Sequence, residues 1–156
     1  MGSEKSKVFP LHLVSNQPKS RLHSQMDHGV TSREAKVQGR EVARMNPLDA
    51  VHRKIGAGDI VRVFNERGAC LAAVALTDAI RPGVVELPTG AWYEPLDYGD
   101  PNSLEVHGNP NVLTKDIGTS KLGQGPTAHS CLVEVERYDQ PLPEIKSFTP
   151  PQIIPA

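Results

Sequence analysis

Apolar and polar residues alternate in short runs along most of the chain, and turn-forming residues separate the runs. Residues 9–14 (FPLHLV) alternate and predict a strand. Residues 41–45 predict a second, short strand. Asn46-Pro47-Leu48-Asp49 then reads as a helix start, with Asn46 as N-cap, Pro47 at the first helical position and Asp49 at the positive end of the helix dipole. That helix is expected to stop before Gly56 with Lys54 in its last turn. Gly58-Asp59 leads into a strand over 60–65, Asn65 to Gly68 into a hairpin turn, and 69–77 into a long return strand rich in alanine. Strands follow over 84–87 and 130–136, the last with both glutamates on one face. Alanine-rich strands are uncommon and predict tight packing across a small barrel.

Between these runs the chain is irregular. Residues 27–40 predict a loop or short irregular helix, and 94–110 predict a loop. Residues 1–8 carry no periodicity and are expected to form a disordered lead. Residues 138–156 are proline-rich and are expected to form an extended tail, draped over a partner. One domain over 9–137 is the simplest division of 156 residues.

With only 4% aromatic residues the core must be aliphatic, and Gly and Pro are too frequent for a helical bundle. A net charge of −1 argues against a general nucleic-acid binder. The charge is uneven: residues 1–67 carry a net +5 and residues 68–156 a net −6. A basic first half suits a small anion such as a pyrophosphate, and equally suits a solvated surface. Cys70 and Cys131 both lie in apolar strands and read as buried free thiols. With no apolar leader or membrane-length run, these thiols make a reducing cytoplasm the expected location.

Residues 15–29 (SNQPKSRLHSQMDHG) concentrate hydrogen-bonding groups. Pro18 turns the backbone away from helix, Arg21 offers a planar fork of donors, and His23, Ser24 and Gln25 follow without a gap. Such a run is either a solvated loop or a recognition loop. No nucleophile–base order is visible anywhere, which disfavours an independent hydrolase. His12, His23 and His28 could meet at a metal, but no matching Cys or carboxylate pattern supports one.

The stretch VSNQPKSRLHSQMDHG (14–29) resembles the opening of the C-terminal cofactor domain of the dimethyl sulfoxide reductase family of molybdenum enzymes. The likeness continues in register through EVARMNPLDA (41–50), GDIVRVFNERGACLA (58–72), DAIRPGVVELPTGAWYEPLD (78–97) and HGNPNVLTKDIGTSKLGQGPTAHSCLVEVE (107–136). Within the family it is most similar to the biotin sulfoxide reductases. The resemblance implies a mainly β fold with short helices, a six-stranded double-psi β-barrel. It implies a molybdopterin guanine dinucleotide cofactor, held as molybdenum bis-MGD in a complete enzyme that acts on S- or N-oxides. It implies the parent enzyme's catalytic domains, if separately encoded, as partners; net charge and the lack of a membrane-length apolar run point to no nucleic acid and no membrane. The metal ligand and substrate funnel belong to those other domains, so no residue here is expected to be catalytic.

The family's cofactor contacts fall on Ser15, Asn16, Gln17, Pro18, Arg21, His23, Ser24 and Gln25, then on Asn111, then on Ala128 and His129. Many relatives have His at Gln17 and a Gly-Gln pair at Ala128-His129; both replacements keep hydrogen-bonding capacity. Arg21 is expected to pair with phosphate, so that Arg21→Ala would weaken cofactor binding and leave the fold intact. Trp92 is expected to cover one end of the barrel. The alternative reading is an orphan barrel that has lost the cofactor and docks a protein or another nucleotide, a reading the proline-rich tail favours.

Overall fold

The computed structural model describes residues 4–125, 127, 131–150 and 153–154. Six strands close into one barrel: β1 (Leu11–Val14), β2 (Val42–Met45), β3 (Ile60–Asn65), β4 (Gly68–Leu76), β5 (Val84–Glu86) and β6 (Cys131–Arg137), in the ring order β1-β5-β2-β4-β3-β6. β1 runs parallel to β5 and β2 parallel to β4, while every other neighbouring pair is antiparallel. The link from β1 to β2 must cross β5, and the link from β4 to β5 must cross β2. Advancing every strand by three places reproduces the same ring and the same pairing directions. The barrel is therefore a double-psi β-barrel, two interlocked halves related by a pseudo-twofold axis. Closure leaves no sheet edge open.

Alternation decides which residues fill it. Leu11, Leu13, Ala43, Met45, Val61, Val63, Cys70, Ala72, Val74, Val85, Cys131, Val133 and Val135 form one buried cluster. β4 is buried on its outer face as well, where Leu71 and Ala73 pack with Ile60 and Val106 against Leu104, Tyr138 and Ile145. Burial on both faces, with short side chains where strands approach closely, accounts for the alanine run. Both cysteines are free and buried, and burial pushes each thiol up from its ordinary value.

Among the described residues the three α-helices are short: α1 (Glu4–Val8), α2 (Val30–Glu34) and α3 (Pro47–Arg53). The Asn46 side chain caps α3, accepting from the Leu48 amide at 2.9 Å. The helix ends at Arg53, ahead of Gly56 as expected, but with Lys54 as its C-cap rather than in its last turn. Lys54 turns left-handed (φ 56°) so that its amide and that of Ile55 reach carbonyls of the last turn and Ile55 enters the core. The lead differs from expectation: Glu4–Val8 is helical, tied down by a Lys5–Glu66 ion pair and by Phe9 set edge-on to Phe64.

Residues 138–150 lack regular structure and pack on this barrel. Tyr138 donates its amide to Ile60, Arg40 donates to the Pro143 carbonyl at 2.6 Å, and Ile145 packs on the outer cluster.

Candidate functional site

The loop after β1 is shaped from beneath by a buried quartet of charges. The Arg21 and Asp27 side chains have no exposed surface, and those of Lys36 and Glu41 have almost none. Arg21 Nη2 donates to Glu41 Oε2 at 2.7 Å and to the Thr89 carbonyl at 3.0 Å. Its Nε donates to the His23 carbonyl at 3.0 Å, and Nη1 to Ser32 Oγ at 3.1 Å. Lys36 Nζ lies 3.0 Å from Asp27 Oδ1 and 3.1 Å from Glu41 Oε2. Burial pushes the Asp27 carboxyl up, but the Trp92 amide, Lys36 and Ser32 outweigh it and hold it below its ordinary value. Two cations face two anions, so the quartet is neutral as a unit.

This corrects the expectation for Arg21. Its guanidinium is engaged inside the protein and does not face a ligand. It clamps the loop at His23 to the segment at Thr89. Gly90 then sits directly under His23: a Cβ at Gly90 would lie 2.0 Å from the His23 carbonyl oxygen, and φ there is +95°. Gly90→Ala is therefore expected to unseat the loop, at a cost of at least ~1–3 kcal/mol from backbone strain alone. A thermal melt of the variant, compared with wild type, checks this; an unchanged midpoint would contradict the seating.

His23 itself is left-handed (φ 51°) and held at two points by Gln17. Gln17 Oε1 accepts from the His23 amide at 2.9 Å, and Gln17 Nε2 lies 2.6 Å from His23 Nδ1. Gln17 thus orients the imidazole rather than lining a cavity. Ser15 is buried at the end of β1, and Asn16 keeps a buried side-chain oxygen without a partner among the described residues. Pro18 is half-buried and Gln25 exposed; neither lines the groove described next.

That groove, of about 440 Å³, is lined by His23, Ser24, Thr89, Gly90, Ala91, Trp92, Tyr93, Asn109 and Asn111. The structure therefore brings His23 and Ser24 together with Asn111, which is distant in sequence. Ala128 and His129 lie outside the described residues. The volume falls within the ~300–1,000 Å³ of small-molecule sites.

Asn109 and Asn111 are placed by a carboxylate that sequence reasoning missed. Glu105 is fully buried. Its Oε2 accepts from the amides of Gly108 and Asn109 at 2.8 Å each, and its Oε1 from those of His107 (3.0 Å) and Glu94 (3.2 Å). Asn109 then caps the 3-10 turn Pro110–Val112, accepting from the Asn111 amide at 2.9 Å. Burial pushes the Glu105 carboxyl up to about 7 against the pull of these four amides. The only trace in sequence is a lone Glu ahead of His107-Gly108-Asn109. Its burial comes from the barrel wall, which no local pattern reports.

Chemically, the groove offers an imidazole, hydroxyls from Ser24, Thr89 and Tyr93, and two carboxamides, beside the rings of Trp92 and Tyr93. The Ser24 hydroxyl and the Asn111 carboxamide make no hydrogen bond among the described residues. This donor set fits the amide and amino edges of a pterin or purine and the hydroxyls of a ribose. No lysine or arginine lines it, so it does not by itself fit a pyrophosphate charge. Among the described residues no group of three ligating side chains could hold a metal ion, and no helix is long and apolar enough to cross a membrane.

Fold and groove together define a small double-psi barrel domain with a polar groove that no lysine, arginine, aspartate or glutamate lines. The family model described as "Molydopterin dinucleotide binding domain" matches residues 11–132, and the chain belongs to that family. It is 48% identical over 151 residues to the trimethylamine-N-oxide reductase of Salmonella typhimurium, and 48% identical over 134 residues to the biotin sulfoxide reductase of Cereibacter sphaeroides. These alignments cover 96% and 86% of this chain but 18% of each relative, so the chain spans under a fifth of their length. With dimethyl sulfoxide/trimethylamine N-oxide reductases also among the relatives, at 44% identity for that of Rhodobacter capsulatus, the expected dimethyl sulfoxide reductase family is the right one. The narrower likeness to biotin sulfoxide reductase is matched in identity by the trimethylamine-N-oxide reductase. Acetylene hydratase from Pelobacter acetylenicus has the same fold (TM-score 0.69, 20% identity, 86% of this chain and 19% of that chain).

Proposed function

We propose that the groove binds molybdopterin guanine dinucleotide, as the C-terminal domain of a molybdenum oxidoreductase that reduces an S- or N-oxide such as biotin sulfoxide or trimethylamine N-oxide. The observation that carries this reading is the convergence of His23, Ser24 and Asn111 on one groove in a chain of this family. The cofactor supplies the redox chemistry when bound. This chain's residues supply binding and orientation. Ser24, Asn109 and Asn111 donate to and accept from its ring edges, His23 adds an imidazole nitrogen set by Gln17, and Trp92 and Tyr93 offer aromatic faces. The cation for the pyrophosphate comes from outside the groove, which accords with the parent enzyme's other domains as partners. Two buried free thiols support a cytoplasmic setting.

Calorimetric titration with released molybdopterin guanine dinucleotide, with GDP as control, tests the reading. Asn111→Ala removes a side chain that makes no internal hydrogen bond among the described residues. It is expected to weaken binding by about tenfold, the loss of one hydrogen bond, with an unchanged melting temperature. No binding by a folded wild-type chain would favour the orphan-barrel alternative.

A further inference from the structure

The tail is fastened to the barrel at Glu94. Glu94 is buried, and its Oε1 accepts from the Lys146 amide at 2.5 Å. Its Oε2 accepts from the Ser147 amide at 2.6 Å and from the Ser147 hydroxyl. Gly39 lies under Ile145, where a Cβ would stand 3.2 Å from Ile145 Cγ1. These contacts fix the next residue, Phe148, edge-on to two rings: Trp92 at 5.6 Å and His107 at 5.0 Å between centroids. His107 is itself buried, and its Nδ1–H donates to the Trp92 carbonyl at 2.8 Å. Burial and Lys36 push its imidazole below its ordinary value. Trp92 therefore stands between two structures. On one side is Phe148. On the other, its indole nitrogen donates to the Ser24 carbonyl at 2.8 Å and its amide to Asp27 Oδ2 at 2.9 Å. Trp92 also lines the groove.

We propose that residues 138–148 are a positioning strap, in which Phe148 sets the plane of Trp92 and Trp92 in turn fixes Ser24, so that the affinity of the groove depends on a tail that does not line it. This rests on the groove being the dinucleotide site. The tail's role is mechanical: Glu94 anchors it, Phe148 transmits the position, and Trp92 holds the Ser24 end of the loop in place.

Trp92 is the chain's only tryptophan, so its emission reports this junction without interference. Phe148→Ala is expected to shift Trp92 emission to longer wavelength and raise its quenching by acrylamide. It is also expected to weaken calorimetric binding of molybdopterin guanine dinucleotide by about tenfold, the most that losing an edge-to-face ring contact supplies. Phe148→Leu, which keeps apolar bulk against Trp92, recovers most of both readouts. Leu142→Ala, an exposed change in the same tail, alters neither. In a Trp92→Ala background Phe148→Ala has no further effect on binding. A full-sized additional loss there would show that Phe148 acts through general stability and would overturn the proposal, as would wild-type affinity in Phe148→Ala. If the wild-type chain does not bind the dinucleotide, the functional reading fails. The fluorescence comparison still decides the strap, and unshifted emission in Phe148→Ala would overturn it.

Discussion

Arg21→Ala is expected to destabilise the domain by about 3–5 kcal/mol, the usual result of removing one partner from a buried ion cluster. Glu41 would lose its 2.7 Å partner and keep only Lys36, and the Thr89 and His23 carbonyls would lose their shared donor. Two anions would then share one cation out of reach of water. Urea denaturation checks the magnitude. Arg21→Lys keeps the charge but cannot reach Glu41, Ser32 and two carbonyls at once, so it should recover only part of the loss. Weakened cofactor binding in either variant would follow from a displaced loop, because the guanidinium has no exposed surface with which to touch a ligand. An Arg21→Ala chain with wild-type stability and lost binding would restore the phosphate-pairing role expected from sequence.

Glu105→Gln should be comparably severe. The new side-chain NH₂ must face two amide donors that the carboxylate satisfied, at ~1–3 kcal/mol for each unmet buried donor, or about 2–6 kcal/mol together. The turn carrying Asn109 and Asn111 would move with it, so binding should fall along with stability. The wild-type carboxyl also makes stability depend on pH. In the unfolded chain it releases its proton near 4.5, and in the folded chain only near 7, because burial outweighs the four amides. The folded state therefore holds the extra proton between those values. The stability this contributes is complete below about 4.5 and is lost as pH rises through about 7. Each state has a cost, desolvation for the anion and conflict with the amides for the acid, which is why this carboxyl titrates near neutrality. Unfolding free energies measured from pH 4 to 8 should show the decline in wild type, and the Glu105→Gln chain should lack that component. An identical slope in both would assign the pH dependence to other groups.

The local elements were legible because their causes are local. Alternation of short apolar runs marked the six strands, and Asn46-Pro47 marked the start of α3 with its capping side chain. The two-residue turn at Glu66-Arg67 was marked by its flanking Asn65 and Gly68. The density of polar groups in residues 15–29 left a solvated loop and a recognition loop both open, and the run of shared motifs marked the family. The Glu4–Val8 helix was not legible, because it is held by Phe64 and Glu66, which are far along the chain.

Which polar residues face a ligand and which hold the scaffold is a different kind of question. Arg21 and His23 are two residues apart and chemically equal candidates, yet one lies buried against Glu41 and Thr89 and the other opens onto the groove. Asp27, Lys36, Glu41 and Glu105 show no spacing that announces burial, because the walls that bury them come from distant segments. The sequence by itself determined the strands, the turns, the aliphatic core and the family. Only the tertiary structure decided that no lysine, arginine, aspartate or glutamate lines the groove, that its cation is a buried clamp, and that the tail folds back on its own barrel. The physical reason is that hydrophobic period and turn chemistry are properties of neighbours in the chain. Burial, charge pairing and the direction of a side chain depend on what closure brings beside it.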